Sequence, residues 1–235
     1  MKNILNEKPN YSLTGRLLAS VLFVSNVDLL NKKILDIGCG YGWCELNFLQ
    51  RGIKEISAVE ISEEFLKTVK QNIKDKRLVP KVGNAINLPF KNEFFDTVVS
   101  WEVIEHIPIN TESKMFSEVF RVLKPDGHFY LSTPYTSVFS NILDPAWWLI
   151  GHRHYSFHEI KQLGEETGFV VETVKINGGW WSILGLLNLY FSKWILRKNS
   201  LYKEFFINKE NVEYDVDYTK GFTNLFVKFT KKLKV

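Results

Sequence analysis

The chain has 235 residues, of which 45% are hydrophobic and 24% charged, with a formal net charge of +4. This is enough for one sizeable α/β core and does not require two domains, so we expect a single domain over residues 1–235. The small positive charge comes largely from a lysine-rich C-terminal tail, which disfavours nucleic-acid binding. Residues 1–10 hold no secretory signal, and Cys39 and Cys44 fit neither a disulfide framework nor a zinc site. We therefore expect a reducing, cytoplasmic location.

Residues 1–32 form the predicted N-terminal helical segment. Apolar residues between Leu13 and Val24 recur at helical spacing after Ser12, and they predict one helix over residues 12–30. We expect this helix either to cover a ligand site or to serve as an ordinary core helix.

The next segment, I-L-D-I-G-C-G-Y-G, combines a short buried strand with a glycine turn. Its glycines are Gly38, Gly40 and Gly42. Glycine lets the backbone turn sharply and approach a ligand closely, as in nucleotide sites. A dinucleotide fingerprint would need glycine at position 43, which is Trp43 here. Asp36 lies two residues before the first glycine, where a carboxylate suits a cationic ligand rather than a phosphate.

Three more predicted strands follow, over residues 55–60, 78–82 and 97–100. Glu60 ends the first of them, where an acid can accept hydrogen bonds from ribose hydroxyls. Ser62 then caps a predicted helix over residues 62–74. The segment Pro125-Asp126-Gly127 indicates a turn between a helix and a fifth strand.

The run D-x-G-x-G-x-G, followed by an acid one strand later, resembles the first motifs of the class I S-adenosylmethionine-dependent methyltransferases. The runs V-G-N-A, F-D-T-V-V-S-W-E and L-K-P-D-G-H-F-Y resemble that family's later motifs, so the resemblance covers residues 33–134, the predicted cofactor-binding core. The ubiquinone/menaquinone-type branch is the most similar.

This resemblance implies an α/β, Rossmann-like sheet of seven mostly parallel strands with strand 7 antiparallel and helices on both faces. It implies S-adenosylmethionine as the cofactor. Asn84 stands where most relatives carry aspartate, and its amide keeps a carbonyl acceptor. The implied cofactor-binding residues are Asp36, Gly38, Cys39, Gly40, Gly42, Glu60, Ile61, Asn84, Ala85 and Trp101.

Strands 6 and 7, predicted over residues 169–176 and 221–230, are separated by an insertion at residues 177–220 that is far longer than ordinary loops. A helix capped by Ser156 and ended by Gly168 precedes strand 6. Residues 177–198 are rich in aromatic and aliphatic residues with basic residues at one end, too short for a confident membrane span. They suit a peripheral membrane contact, a wall of an apolar pocket or a dimer face. A second apolar run lies at residues 147–150.

Methyl transfer to a hydroxyl needs a base near neutral pKa. His106, His152, His154 and His158 are available, and we expect His106 and His154 at the carboxyl edge of the sheet, where they are the predicted catalytic residues.

Glu102, Glu105 and His106 are spaced so that one face of a helical turn would carry all three, and such groups suit a divalent metal. Similar runs bind metal in ubiquinone-pathway O-methyltransferases and small-RNA 2′-O-methyltransferases, but occur in many relatives without metal. A metal is therefore possible here but is not the favoured prediction.

We thus expect a methyltransferase of class EC 2.1.1.-, acting on oxygen of a small apolar, phenolic, quinol-like or lipid-linked acceptor. The alternatives are a metal-dependent RNA 2′-O-methyltransferase and a cofactor-binding module without catalysis. The sequence does not indicate the oligomeric state.

Overall fold

A computed structural model describes residues 8–144, 147, 151–215 and 217–232. Its strands are β1 (Lys33–Ile37), β2 (Glu55–Glu60), β3 (Leu78–Val82), β4 (Phe95–Trp101), β5 (Leu123–Pro134), β6 (Phe169–Asn177) and β7 (Asn224–Lys231). Its α-helices are α1 (Gly15–Phe23), α2 (Trp43–Gln50), α3 (Glu63–Asn72), α4 (Glu112–Val122), α5 (Val138–Leu143), α6 (Phe157–Thr167), α7 (Trp180–Tyr190) and α8 (Lys203–Glu213). Residues 1–7 of the signal-peptide prediction, and 148–150 of the second apolar run, lie outside the described residues.

All seven strands form one sheet in the order β3-β2-β1-β4-β5-β7-β6. Strands β1 to β5 pair in parallel, whereas β7 runs antiparallel to both β5 and β6. The predicted Rossmann-like topology is therefore confirmed. Because β1 and β4 are adjacent and the connections depart from them in opposite directions, their carboxyl ends form the crevice where such sheets hold ligands.

Apolar residues fill both faces of the sheet. One cluster joins β1 and β2 to α2 and α3 through Ile34, Phe48 and Leu66, and the other joins β4 and β5 to α4 through Phe116 and Phe129. Strands β1 and β4 are buried on both faces, which explains their nearly continuous runs of apolar residues.

The predicted starts of α3 and α6 and the predicted end of α6 are confirmed, whereas α3 ends at Asn72 and not at residue 74. Ser62 Oγ accepts the Glu64 amide at 3.2 Å, and Ser156 forms a reciprocal capping box with Glu159. Gly168 ends α6 in the left-handed region, with φ of 108°. These ends are local features, which is why they could be predicted.

Other boundaries were wrong. The N-terminal helix is only α1, followed by a 3₁₀ turn at Asn26–Asp28, and it begins at Thr14 rather than Ser12. The predicted turn at residues 125–127 lies within β5, where Asp126 has φ of 57° and the pairing register with β4 shifts. An irregularity within a strand favours the same residue types as a turn, so the sequence pattern could not distinguish the two. The insertion occupies residues 178–223, because β6 extends through Asn177 and β7 begins at Asn224.

Candidate functional site

The glycine turn links β1 to α2. The amides of Gly38 and Cys39 both donate to the Val59 carbonyl, at 2.8 and 3.1 Å, which ties the turn to the end of β2. Gly38, Gly40 and Gly42 have φ of 77°, 54° and 94°, the left-handed region that favours glycine. A Cβ at Gly38 would collide with Val103, whereas one at Gly40 would meet nothing within 4 Å. Gly40 therefore faces open space, where a ligand can approach the backbone.

Glu60 lies beside this open side. Its Oε2 accepts the Gly40 amide at 3.2 Å and its Oε1 accepts the Ile61 amide at 2.9 Å. Each oxygen keeps further acceptor capacity for a ligand hydroxyl. Ile61 is exposed next to it. The structure thus brings Gly40, Glu60 and Ile61 together, as the sequence predicted.

Asp36 has a buried acidic neighbour that the sequence analysis missed. Glu45, on the first turn of α2, is fully buried, and neither its carboxyl oxygens nor Asp36 Oδ1 accept a hydrogen bond from a donor among the described residues. Burial raises the pKa of Glu45 to about 7, and burial together with Glu45 raises the pKa of Asp36 well above its usual range. Two buried acids that raise each other's pKa favour holding a proton over ionising together. The sequence feature that could have revealed this neighbour is an acidic residue, Glu45, among the apolar residues of α2.

The remaining predicted cofactor residues are largely buried. Cys39 is buried in the turn, and Trp101 ends β4 with its Nε1 donating to Cys44 Sγ at 3.4 Å. Both cysteines are free thiols. Asn84 Oδ1 accepts the Ile86 amide at 3.1 Å, and Ala85 packs in the core. The Asn84 side-chain carbonyl thus accepts one hydrogen bond within its own turn, and its second lone pair and its NH₂ group remain for a ligand.

A cavity of about 570 Å³ lies between the carboxyl ends of β4 and β5 and the insertion helices. Its polar side includes Arg16, Glu102, His106, Asp144, His152 and His154, and its apolar side includes Ile183, Leu186, Leu189, Tyr190, Phe206 and Ile207. Helices α7 and α8 therefore form a wall of this cavity, as one of the predictions for the insertion proposed.

Glu102 follows β4 with φ of 56°, an uncommon conformation for a residue other than glycine. Its carboxylate accepts hydrogen bonds from Ser132 Oγ at 2.6 Å and Asn224 Nδ2 at 3.1 Å, and it lies 3.6 Å from Arg16. The helical turn is a 3₁₀ turn that begins only at Ile104, so Glu102 does not share its face. The predicted alignment of Glu102, Glu105 and His106 was therefore wrong.

Three of the four candidate histidines lie together at the cavity. The rings of His106 and His152 are 4.9 Å apart, and those of His152 and His154 are 6.0 Å apart. Both nitrogens of the buried His154 have partners, Asn141 Oδ1 at 2.7 Å and Asp144 Oδ2 at 2.9 Å. His158 is exposed on α6 and is not part of the cavity lining.

His106 is the histidine best suited to accept a proton. Desolvation at the cavity and the neighbouring His152 lower its pKa, so the imidazole is neutral near pH 7, while the residue stays accessible to solvent. Arg153 fixes the turn that carries it by donating to the carbonyls of Ile104, Glu105 and Ile107. The sequence analysis did not single out Arg153, since these bonds join residues more than forty positions apart.

Among the residues that the structure describes, two groups of side chains have ligand atoms close enough together to hold a metal ion. They are Glu105 with His106 and His152, and Asp144 with His152 and His154. Glu105 is buried, with its Oε2 accepting from Thr133 at 3.1 Å, and burial and Glu102 raise its pKa well above the usual range. A carboxyl that holds its proton is a poor metal ligand. The first group therefore fits a metal only if Glu105 loses that proton. In the second group, both nitrogens of His154 already have partners in Asn141 and Asp144.

Comparisons with known proteins agree with this geometry. An S-adenosylmethionine-dependent methyltransferase from Mesorhizobium loti superposes with a TM-score of 0.61 at 16% identity, over 91% of this chain and 96% of that one. A methyltransferase-domain family model matches residues 35–131, from β1 into β5, including the glycine turn and Glu60. Residues 35–131 thus carry a methyltransferase domain, and the chain has the fold of the class I S-adenosylmethionine-dependent methyltransferases.

Two further relatives of this methyltransferase are informative. A Mycolicibacterium smegmatis protein described as a probable S-adenosylmethionine-dependent methyltransferase is 30% identical over 141 residues, 60% of this chain and 53% of that protein. The Haemonchus contortus phosphoethanolamine N-methyltransferase 2, solved with phosphomonomethylethanolamine and S-adenosylhomocysteine, has a TM-score of 0.63 at 19% identity, over 87% of this chain and 50% of that one. The chain spans about half or less of the length of the curated relatives that it matches first.

The insertion helices do not form a membrane span. Among the residues that the structure describes, no helix combines the length and the apolar character needed to cross a bilayer.

Proposed function

We propose that this methyltransferase transfers a methyl group from S-adenosylmethionine to a hydroxyl of a phenolic, quinol-like or lipid-linked acceptor. The observation that carries the proposal is the cavity. Its floor is polar and includes His106, and its wall, formed by α7 and α8, is apolar. An acceptor with one reacting polar end and an apolar body matches that division.

The donor half rests on the residues around the glycine turn. S-adenosylmethionine carries an ammonium and a sulfonium, and the buried carboxyls of Asp36 and Glu45 lie beside the turn without a cationic partner among the described residues. A cationic ligand would favour their ionised form and so stabilise its own binding. Glu60 would accept the ribose hydroxyls, and Gly40 leaves the space that the ligand needs.

The chemistry at the acceptor then requires little from the chain. When bound, S-adenosylmethionine supplies a methyl group on a positively charged sulfur. The acceptor oxygen forms a bond to that methyl carbon as the carbon–sulfur bond breaks and its electrons return to sulfur. His106 takes the hydroxyl proton, and the cavity walls hold the acceptor in line and exclude water. His154 holds its side of the cavity through Asn141 and Asp144.

A metal-dependent RNA 2′-O-methyltransferase is less well supported. That alternative needs Glu102 as a ligand, but its carboxylate is engaged by Ser132, Asn224 and Arg16. A cofactor-binding module without catalysis remains the alternative that activity measurements decide.

The test is methyl transfer from radiolabelled S-adenosylmethionine to a panel of quinols, phenols and polyprenyl-linked hydroxyl compounds. We expect His106→Gln to lower kcat by about 10²-fold to 10⁴-fold, the usual contribution of a general base, with cofactor affinity retained. His158→Gln is the matched control, because His158 is exposed and lies outside the cavity. Cofactor binding without turnover on any acceptor would identify a binding module, and equal activity of both variants would remove His106 from the reaction.

A further inference from the structure

The far end of the insertion exposes an unusual concentration of apolar side chains. We call residues 191–205, from the π-helical turn after α7 to the first turn of α8, the insertion tip. Trp194, Ile195 and Tyr202 are exposed by 62%, 67% and 80%. Its other exposed large apolar residues are Phe191, Leu196, Leu201 and Phe205. Monomeric soluble proteins rarely leave such side chains together on the surface, so this patch indicates a binding surface.

Cationic side chains are interleaved with the apolar ones. Lys193, Arg197, Lys198 and Lys203 are exposed, and none of them forms an ion pair with another described residue. Glu204 is the single acid in the insertion tip. Lysine is depleted in the centres of protein–protein interfaces, whereas tryptophan and tyrosine beside lysine and arginine are typical of a membrane interface. The charge complements an anionic lipid surface.

The insertion tip is continuous with the cavity. Tyr190, Ser200 and Lys203 line the cavity, while Phe191 and Trp194 next to them in the chain are exposed to solvent. The apolar wall of the cavity therefore extends to the surface that carries the apolar and cationic side chains. An apolar acceptor could pass from a bilayer into the cavity without crossing water.

We propose that the insertion tip docks on a bilayer that contains anionic lipids and that the acceptor is a molecule embedded in that bilayer. The apolar side chains enter the headgroup region, and the four cations contact lipid phosphates. The docking itself stands on the exposed surface alone, whereas the choice of acceptor rests on the proposed function.

The test is co-sedimentation of the full chain with vesicles of phosphatidylcholine alone or mixed with phosphatidylglycerol. We expect binding to the mixed vesicles that weakens as salt rises, because salt screens exposed charges. The Arg197→Glu/Lys198→Glu variant should bind at least about 25-fold more weakly, since each cation near an anionic surface contributes about fivefold. Trp194→Ala/Ile195→Ala should also lose most binding.

Matched variants elsewhere on the surface control for general effects of charge and hydrophobicity. Lys74→Glu/Lys76→Glu changes two exposed cations outside the insertion, and Leu22→Ala/Val27→Ala removes two exposed apolar side chains. We expect both to bind vesicles as the unchanged chain does. Absence of binding to mixed vesicles at low salt, or equal losses in tip and control variants, would overturn the proposal. A dimer that only the tip variants dissociate, without vesicle binding, would assign the surface to a second copy instead.

The proposal of membrane docking and the proposal of methyl transfer can be refuted independently of each other. Vesicle binding needs neither cofactor nor acceptor, so binding without turnover would retain the docking and remove the proposed function. Equal turnover of the unchanged chain and the tip variants on acceptor embedded in mixed vesicles would overturn delivery through the tip. The expected result is that tip variants lose turnover on embedded acceptor but keep it on a short-chain, water-soluble analogue.

Discussion

Glu60 is the residue whose role in cofactor binding is most open to a direct test. Both of its oxygens are held by backbone amides, those of Gly40 and Ile61. We predict that Glu60→Gln weakens S-adenosylmethionine binding by about 1 to 3 kcal/mol, because it removes the charge from hydrogen bonds to the ribose and replaces one acceptor by a donor. Calorimetric titration measures the loss. Glu64→Gln, an exposed carboxylate on α3, is the control, and an unchanged affinity for Glu60→Gln would refute the assignment.

The buried pair of Asp36 and Glu45 predicts a specific pH dependence of stability. Burial raises the pKa of Glu45 from 4.5 to about 7, so the folded protein holds this proton more tightly than the unfolded chain does. The stabilisation from protonation is complete below about pH 4.5 and is lost as the pH rises to about 7. We therefore predict that Glu45→Gln, which cannot ionise, has a higher free energy of unfolding than the unchanged chain at pH 8, by about 1 to 3 kcal/mol, but not near pH 4.5.

Urea unfolding at the two pH values measures this difference. Glu64→Gln should change the free energy of unfolding by the same small amount at both pH values, since Glu64 is exposed. If Glu45→Gln is instead equally destabilising at both, the carboxyl is held by a donor and not by a shared proton.

These residues show where sequence-based prediction succeeds and where it stops. Gly40 and Glu60 follow consecutive strands of a parallel sheet, so topology alone places them at one edge. Glu45 and Arg153 act through residues that only the fold brings to them. His154 was predicted at the sheet edge, but its two nitrogens form hydrogen bonds with Asn141 and Asp144, which no sequence pattern indicated.

At the scale of elements, Glu213 at the end of α8 holds the start of α7. Its carboxylate accepts hydrogen bonds from the amides of Gly179, Trp181 and Ser182, at 2.8 to 2.9 Å, and from Ser182 Oγ. These are the amides that a helix start leaves without partners, and the negative charge also suits the positive end of the helix. Glu213 thus fixes the angle between the two helices that form the cavity wall.

We predict that Glu213→Ala lowers the free energy of unfolding by about 2 to 4 kcal/mol, because several buried amides lose a charged acceptor at once. Hydrogen exchange should increase first in α7, and KM for the acceptor should rise more than Kd for the cofactor. Glu204→Ala, on the exposed side of α8, should stay within about 0.5 kcal/mol of the unchanged chain. Similar exchange rates in α7 for both variants would show that Glu213 does not anchor it.

The insertion also marks a limit of prediction at this scale. Its length and its apolar residues indicated a cap, a dimer face or a membrane element without choosing among them. Hydrophobic periodicity gives a helix its apolar face but not its partner, and α7 is apolar nearly all round. The hydrogen bonds from the start of α7 to Glu213 of α8, and the position of Ile183 in the cavity lining, were needed to place it.

At the scale of the whole molecule, the insertion connects to the seven-stranded sheet at the end of β6 and the start of β7. Asn177 and Asn224 pair directly across β6 and β7, so the two strands already lie side by side where the insertion leaves and re-enters the sheet. The glycine turn and Glu60 are held by bonds within residues 38–61, none of which involves the insertion. The donor half of the site is thus built from the sheet, and the acceptor half from both parts.

This division predicts the behaviour of a chain in which a short hairpin turn replaces residues 178–223. We expect it to keep the sheet and to bind S-adenosylmethionine within about threefold of the full chain, while turnover of apolar acceptors is lost with the cavity wall. Its melting temperature should fall by several degrees, because α1 loses the bond between the Gly15 amide and Asn211 Oδ1 at 2.6 Å and its packing on α8. Circular dichroism, calorimetry and turnover measure the three outcomes. The informative comparison is with Glu213→Ala, which loosens the same wall without removing it. If cofactor binding survives in Glu213→Ala but disappears in the shortened chain, the insertion belongs to the core that supports the glycine turn.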